Sequence, residues 1–351
     1  MTPEALLTGL SRNPDCLFQD LDLVNRRGLL VAIREADYRS ASFLDHRVLK
    51  PDTAGAWFPL PQLVQQAVGI RPAAPPHCIF HVSHCGSTLV SRLLAELPGC
   101  LPLREPLPIL NLALARRELG LPASRLDIPG WDALFDLSLR LASRTYRADE
   151  RVLIKATSAC ANLLPPLFSR SPGSRALLLY TDLETWLTTM LRDQKVRENG
   201  RYYAPAWLTD LMAITGHRDL KLAALTDPEQ FTVNWLTGML HFQRARGAAP
   251  EAVLQYDFEA FLMEPAISLR KMAGFFALDA ARAEEMTLGP LMQSYAKNPA
   301  RRFDGTQRRQ ELQQARNQVG AEIDAGLAFA EKLIQRIPAL APLAVHFRRS
   351  A

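Results

Sequence analysis

Gly86-Ser87-Thr88 lies at the centre of the stretch of this chain whose residue types and spacing best suit gripping an anion. Cys78-Ile79-Phe80-His81-Val82-Ser83-His84-Cys85 leads into it, and Leu89-Val90-Ser91-Arg92-Leu93-Leu94 follows. The run reads as a short buried strand, a tight polar turn and an amphipathic helix. A helix starting at such a turn directs several unpaired main-chain N–H groups, with the Ser87 and Thr88 hydroxyls, to one spot on the positive end of its dipole. Such a spot binds phosphate or sulfate. The plainer alternative is that Ser87 and Thr88 merely cap the helix.

The elements that would hold this loop are legible on both sides of it. Residues 78–82 form a strand and 88–97 the helix it feeds; the Pro-rich residues 101–107 then cross back. A helical region at 131–148 precedes a strand at 151–155, a helix at 162–168, a strand at 176–180 and a helix at 183–192. Two more helical regions lead to a strand at 252–256, and the final third is helical at 259–278 and 310–336. Short apolar strands alternating with helices predict an α/β fold, a three-layer parallel sheet with helices on both faces. Residues 1–70 read as a small N-terminal β-containing layer, with Leu21-Asp22-Leu23-Val24 and Leu29-Leu30-Val31-Ala32-Ile33 paired about Asn25-Arg26-Arg27-Gly28. The extended Arg71-Pro72-Ala73-Ala74-Pro75-Pro76 joins it to a main unit over 71–351.

Bulk composition narrows the classes. A chain of 351 residues, 48% hydrophobic, can bury a sizeable core. Its 41 basic and 36 acidic residues leave a net charge of +5, too mild to suggest nucleic acid but suited to a small anionic ligand. Cys16, Cys78, Cys85, Cys100 and Cys160 form no CxxC pair, which points to a reducing, cytoplasmic compartment and away from disulfides or structural zinc. His46, His217, His241 and His346 show no ligand spacing, so no metal is expected. No secretory leader and no membrane span are expected either.

Aligned on Gly86, the ATPase loop pattern GxxxxGK[ST] would place its first glycine at His81 and its lysine at Ser87. Only Gly86 and Thr88 fit, and the strands at 151–155, 176–180 and 252–256 end in Lys155, Tyr180 and Tyr256 rather than in Asp. An ATP-dependent small-molecule kinase is therefore a weaker reading. The stretch His84-Cys85-Gly86-Ser87-Thr88-Leu89 instead resembles the phosphosulfate-binding loop of sulfotransferases, with the family's usual Lys or Arg falling on His84. Two later segments extend the resemblance. Gln255-Tyr256-Asp257-Phe258-Glu259 with Glu264-Pro265 and Gly274-Phe275-Phe276-Ala277-Leu278 is similar to the family's late strand-and-helix signature, and 180–192 falls where its 3′-phosphate site lies. The likeness covers about 78–278, with a looser extension to 333.

The resemblance implies a P-loop NTPase-like sulfotransferase fold and a metal-independent transfer of sulfonate from PAPS, 3′-phosphoadenosine 5′-phosphosulfate. The acceptor would be a hydroxyl or amine on a small molecule or glycan. His84, Cys85, Gly86, Ser87 and Thr88 would hold the phosphosulfate, and Thr189 the 3′-phosphate. The family's 3′-phosphate Arg falls on Thr181, so this site is diverged; Lys195, Arg197 and Arg201 in a loop, or Arg301 and Arg302, are the replacement candidates. Glu105, before Pro106, would be the general base, held in an extended geometry; Lys155 and a protonated His84 would face the sulfonate. Acceptor choice would come from residues 200–210 and the N-terminal layer. A diverged, non-catalytic nucleotide-binding protein is the remaining alternative.

Overall fold

Alternating and continuous apolar runs build two different sheets in this chain. The computed structural model describes residues 1–11, 13–295, 298–302 and 305–348, with 294–295, 298–302 and 306 as backbone only. In the N-terminal layer β1 (Cys16–Asp22), β2 (Arg27–Ala32) and β3 (Gly55–Pro59) form an antiparallel sheet in that order. The first two join through the turn chemistry of 23–26, and Arg26 takes a left-handed φ of 51° to close it. The third strand, alternately exposed and half-buried, was not apparent from the sequence.

The core sheet consists of β4 (His77–His81), β5 (Cys100–Arg104), β6 (Arg151–Lys155), β7 (Ala176–Tyr180) and β8 (Val253–Asp257). All are parallel, in the order β5-β6-β4-β7-β8. Every residue of β4 and β5 is buried, as parallel strands covered by helices on both faces require. β4 lies at the middle, where connections leave in opposite directions, and the crevice at the carboxyl end of such a strand is where α/β sheets take ligands. The helix Ser87–Ala95 follows β4 directly and packs on β5 and β6. β9 (Ser294–Tyr295) and β10 (Asn298–Arg302) form a separate antiparallel pair. No helix among the described residues is long and apolar enough to cross a membrane.

Three local expectations are corrected. Residues 101–107 do not merely cross over: β5 occupies 100–104 despite Pro102. The proline is tolerated because β5 is the edge of the sheet, paired with β6 alone. Residues 194–215 form one helix, so Lys195, Arg197 and Arg201 lie on a helix rather than a loop, and so does 200–210. Pro205 interrupts that helix's pattern in sequence but is absorbed inside it. The region 162–168 divides into a 3-10 turn, Ser158–Leu163, and a short helix, Leu164–Arg170.

The two layers share one apolar core. Polar side chains fasten the seam: Asn111 donates to Asp20 Oδ1 at 2.8 Å, and the buried Arg104 guanidinium donates to the Ala41 carbonyl at 2.7 Å.

Candidate functional site

β4 ends at His81, and only five residues separate it from the next helix, which begins at Ser87. So tight a reversal needs unusual backbone. His84 and Gly86 both take left-handed conformations, φ 57° and 71°. For Gly86 a second constraint applies: a Cβ there would come within 2.0 Å of the Phe258 ring. Only glycine satisfies both. Gly86 is the N-cap of the helix and provides no side-chain cap, so the first N–H groups of Ser87–Ala95 have no side-chain acceptor from it.

The hydroxyls divide. Ser87 and Thr88 are both buried, and Thr88 Oγ1 has no hydrogen-bond partner among the described residues. An unpaired buried hydroxyl costs stability unless a ligand completes it. Ser87 and Thr88 therefore do not cap the helix in the ordinary sense. The Cys85 side chain is turned to the neighbouring strand: its thiol donates to the Leu179 carbonyl at 3.3 Å. The other loop-strand histidine is structural, with His81 Nε2 3.0 Å from the Ala156 carbonyl oxygen.

The loop opens onto a cleft of about 800 Å³, walled also by Glu105, Lys155, Thr157 and Ser158. Glu105 follows β5 and Lys155 ends β6, which places them side by side at the carboxyl ends of neighbouring strands. Their side chains form an ion pair, with Lys155 fully buried and Glu105 partly exposed. Glu105 is not extended as Pro106 led us to expect; its φ is 55°. Its N–H still donates to the Lys155 carbonyl at 2.6 Å, continuing the ladder, while the chain must enter the helix Leu107–Arg116 two residues later. A non-glycine residue in this region is strained, which is common where a side chain must be aimed. Arg104 is no partner for Glu105: it points the opposite way, to Ser91 Oγ and the Arg39 and Ala41 carbonyls, and burial pushes it down to about 10.

Thr189, Arg192 and Arg308 also line the cleft. Thr189 Oγ1 donates to the Thr185 carbonyl at 3.0 Å and keeps its lone pairs available. Arg308 grips the buried Glu259 in a two-pronged ion pair and lies 5.7 Å over the Phe258 ring, the ring that presses on Gly86. Arg192 is 3.5 Å from Glu311. Thr181 is not among the residues lining the cleft; it is buried, its hydroxyl without a partner among the described residues and its carbonyl accepting from Trp235 Nε1 at 3.0 Å.

Of the replacement cations expected for the diverged position, Arg197 is occupied by Glu322 at 2.8 Å and Arg201 by Asp227 at 2.5 Å. Arg301 and Arg302 fall on β10, and their side chains lie outside the described residues. Arg308 and the wall formed by Phe43, Asp45, His46 and Arg47 were missed by sequence reasoning. Arg308-Arg309 is visible as a short basic pair, but its pairing with a carboxylate 49 residues away is not. Among the described residues no group of three or more His, Cys, Asp or Glu is arranged to hold a metal ion.

Among solved structures the chain is similar to three sulfotransferases. One is from Alicyclobacillus acidocaldarius, at 12% identity and TM-score 0.36 over 75% of this chain and 96% of that one. The sulfotransferase domain from the curacin biosynthetic pathway is 14% identical, with TM-score 0.40 over 70% and 98%. One from Mycobacterium tuberculosis is 12% identical, with TM-score 0.41 over 72% and 82%. No protein-family model and no curated protein matches the chain. These likenesses are low, and what the site can do is read from its own residues.

Proposed function

We propose that this protein transfers a sulfonate group from PAPS to a hydroxyl or amine acceptor. The observation that carries the reading is the unpaired Thr88 Oγ1 at a helix N-terminus that opens onto the same cleft as the Glu105–Lys155 pair. The fit to a phosphosulfate is supported by the buried Thr88 hydroxyl, which lacks a partner among the described residues. PAPS supplies an activated sulfonate with a good leaving group, so the protein's task is positioning and charge stabilisation.

In this reading the main-chain N–H groups of 86–88 and the Thr88 hydroxyl bind the bridging phosphate, and His84 stands at the loop to offset charge on the departing nucleotide. Glu105 takes the proton from the acceptor as its oxygen or nitrogen bonds to sulfur and the bond from sulfur to the phosphate oxygen breaks. Lys155 faces the sulfonate oxygens. Thr189, with Arg192, meets the 3′-phosphate in place of the family's Arg. The five free cysteines are all buried, in keeping with a cytoplasmic setting.

Calorimetry with adenosine 3′,5′-bisphosphate tests the nucleotide half. Saturable, magnesium-independent binding that weakens about tenfold or more in Thr88→Ala is expected. Turnover of ATP with magnesium, or no nucleotide binding at all, would overturn the reading.

A further inference from the structure

Gly86 caps its helix with no side chain, so nothing of its own locks its φ of 71°. The Phe258 ring supplies that restraint from outside. The space that a Cβ on Gly86 would take is filled by the ring's Cε2, Cζ and Cδ2 atoms, which puts the ring in direct contact with the turn. Phe258 is buried, lines the same cleft as the loop, and opens the short helix Phe258–Met263 at the end of β8.

What holds the ring comes from another part of the chain. Arg308 lies in the first turn of the helix Gly305–Arg336, and its guanidinium stands 5.7 Å from the Phe258 centroid, within cation–π range. Both terminal nitrogens donate to Glu259, the residue after Phe258: Nη1 to Oε2 at 2.9 Å, and Nη2 to Oε1. The Glu259 side chain is 8% exposed and that of Arg308 15%. Neither can withdraw without leaving a buried charge uncompensated. The Glu259 N–H is tied in turn to Asp257 Oδ1 at 2.9 Å, so the main chain that carries the ring is held on both sides of it. Arg308 lines the cleft, yet its charge is met within the protein.

We infer that Arg308 and Glu259 are positioning residues for the anion loop: acting through the Phe258 ring, they hold Gly86 in the left-handed turn that aims the N–H groups of 86–88. The inference deepens the sulfonate-transfer reading and rests on it for the identity of the anion, but the coupling of ion pair, ring and turn exists without a nucleotide. A pair that only stapled the late helix to the sheet would loosen 305–336 when removed and leave the turn at Gly86 as it was.

The test is hydrogen exchange at the Val90 amide, which donates to the Gly86 carbonyl at 3.1 Å and is freed when the turn opens. Four full-length chains are compared without ligand: wild type, Glu259→Gln with Arg308→Met, Phe258→Leu, and all three substitutions together. The paired substitution removes both charges and leaves none buried alone. It should speed Val90 exchange about fivefold or more, and so should Phe258→Leu. The combined variant should exchange no faster than Phe258→Leu, because the pair acts through the ring. Amides of β6 serve as the control for folding. Arg308→Lys, which keeps the buried pair charged and is the variant safest for folding, should exchange between wild type and the paired variant. Adenosine 3′,5′-bisphosphate affinity should fall in the same order as Val90 protection. Unchanged Val90 exchange in the paired variant and in Arg308→Lys, or effects that simply multiply in the combined variant, would overturn the inference. Failure of the wild type to bind adenosine 3′,5′-bisphosphate would instead count against the sulfonate-transfer reading, with the exchange comparison still deciding the coupling.

Discussion

Lys155 and Glu105 end neighbouring parallel strands and meet as an ion pair on the floor of the cleft, the lysine fully buried and the carboxylate partly open. The register of β5 on β6, which sets Arg104 opposite Lys155, puts Glu105 one residue past the ladder, where its side chain turns toward the cleft. Removing one partner leaves a buried charge uncompensated, whereas removing both does not. Glu105→Ala should therefore destabilise the protein by about 3 kcal/mol in urea unfolding, and Glu105→Gln with Lys155→Met together should recover most of that. Both should lower sulfonate transfer by a factor of about 100 to 10,000 while binding adenosine 3′,5′-bisphosphate as wild type does. Wild-type turnover in Glu105→Gln would remove this residue from the role of base.

Thr88 offers a separation of stability from binding. Its hydroxyl is buried without a partner among the described residues, so Thr88→Val removes an unmet polar group at nearly constant volume. The ligand-free protein should gain up to about 1 kcal/mol in unfolding free energy and lose about tenfold in nucleotide affinity. A variant that binds as tightly as wild type would show that the hydroxyl faces nothing.

Gly86→Ala should be severe for two reasons that can be told apart. A left-handed φ of 71° is unfavourable for alanine, and its Cβ would collide with Phe258. Together they should cost roughly 2–5 kcal/mol and abolish nucleotide binding. In Gly86→Ala with Phe258→Ala the collision is gone and only the backbone term remains. The second substitution should then cost less on the alanine background than on the wild type. Strict additivity would contradict the close approach.

The basic residues near the cleft should sort by what they already hold. Arg192→Ala should weaken adenosine 3′,5′-bisphosphate several-fold, more at low salt, with an unchanged melting temperature. Arg197→Ala should do the reverse, because Arg197 is engaged with Glu322 and Asp227. Equal effects of both on affinity would mean that the 3′-phosphate site lies elsewhere.

Acid sensitivity should trace in part to His77. Burial, with Arg175 and Arg151 nearby, pushes its imidazole down to about 4 from an ordinary value near 6.5. Its Nδ1 accepts the Arg175 N–H at 3.2 Å, and its ring stacks on Phe276. The unfolded chain therefore binds the extra proton first. This contribution is intact above about pH 6.5 and is lost progressively as pH falls toward 4, by at most about 3 kcal/mol. Urea unfolding of His77→Gln should show a shallower loss between pH 6.5 and 5 than wild type; an identical slope would assign the acid sensitivity to other groups.

The chain's local chemistry determined the elements and the loop. Continuous apolar runs at 78–82, 151–155 and 176–180 read as buried strands, and Gly86 followed by two hydroxyl residues reads as the turn into a helix whose first N–H groups lack intrahelical partners. β5 was obscured because Pro102 argues against a strand unless the strand is an edge, and edge position is a property of the sheet rather than of five residues. Tertiary structure alone decided who faces the cleft. It spent Arg197 and Arg201 on carboxylates, brought Arg308 to Phe258 and into the cleft wall, and laid Phe43 against Lys155 from a different layer. Charge and aromatic contacts between residues 26 to 125 positions apart are chosen by packing, and no local period or spacing encodes them.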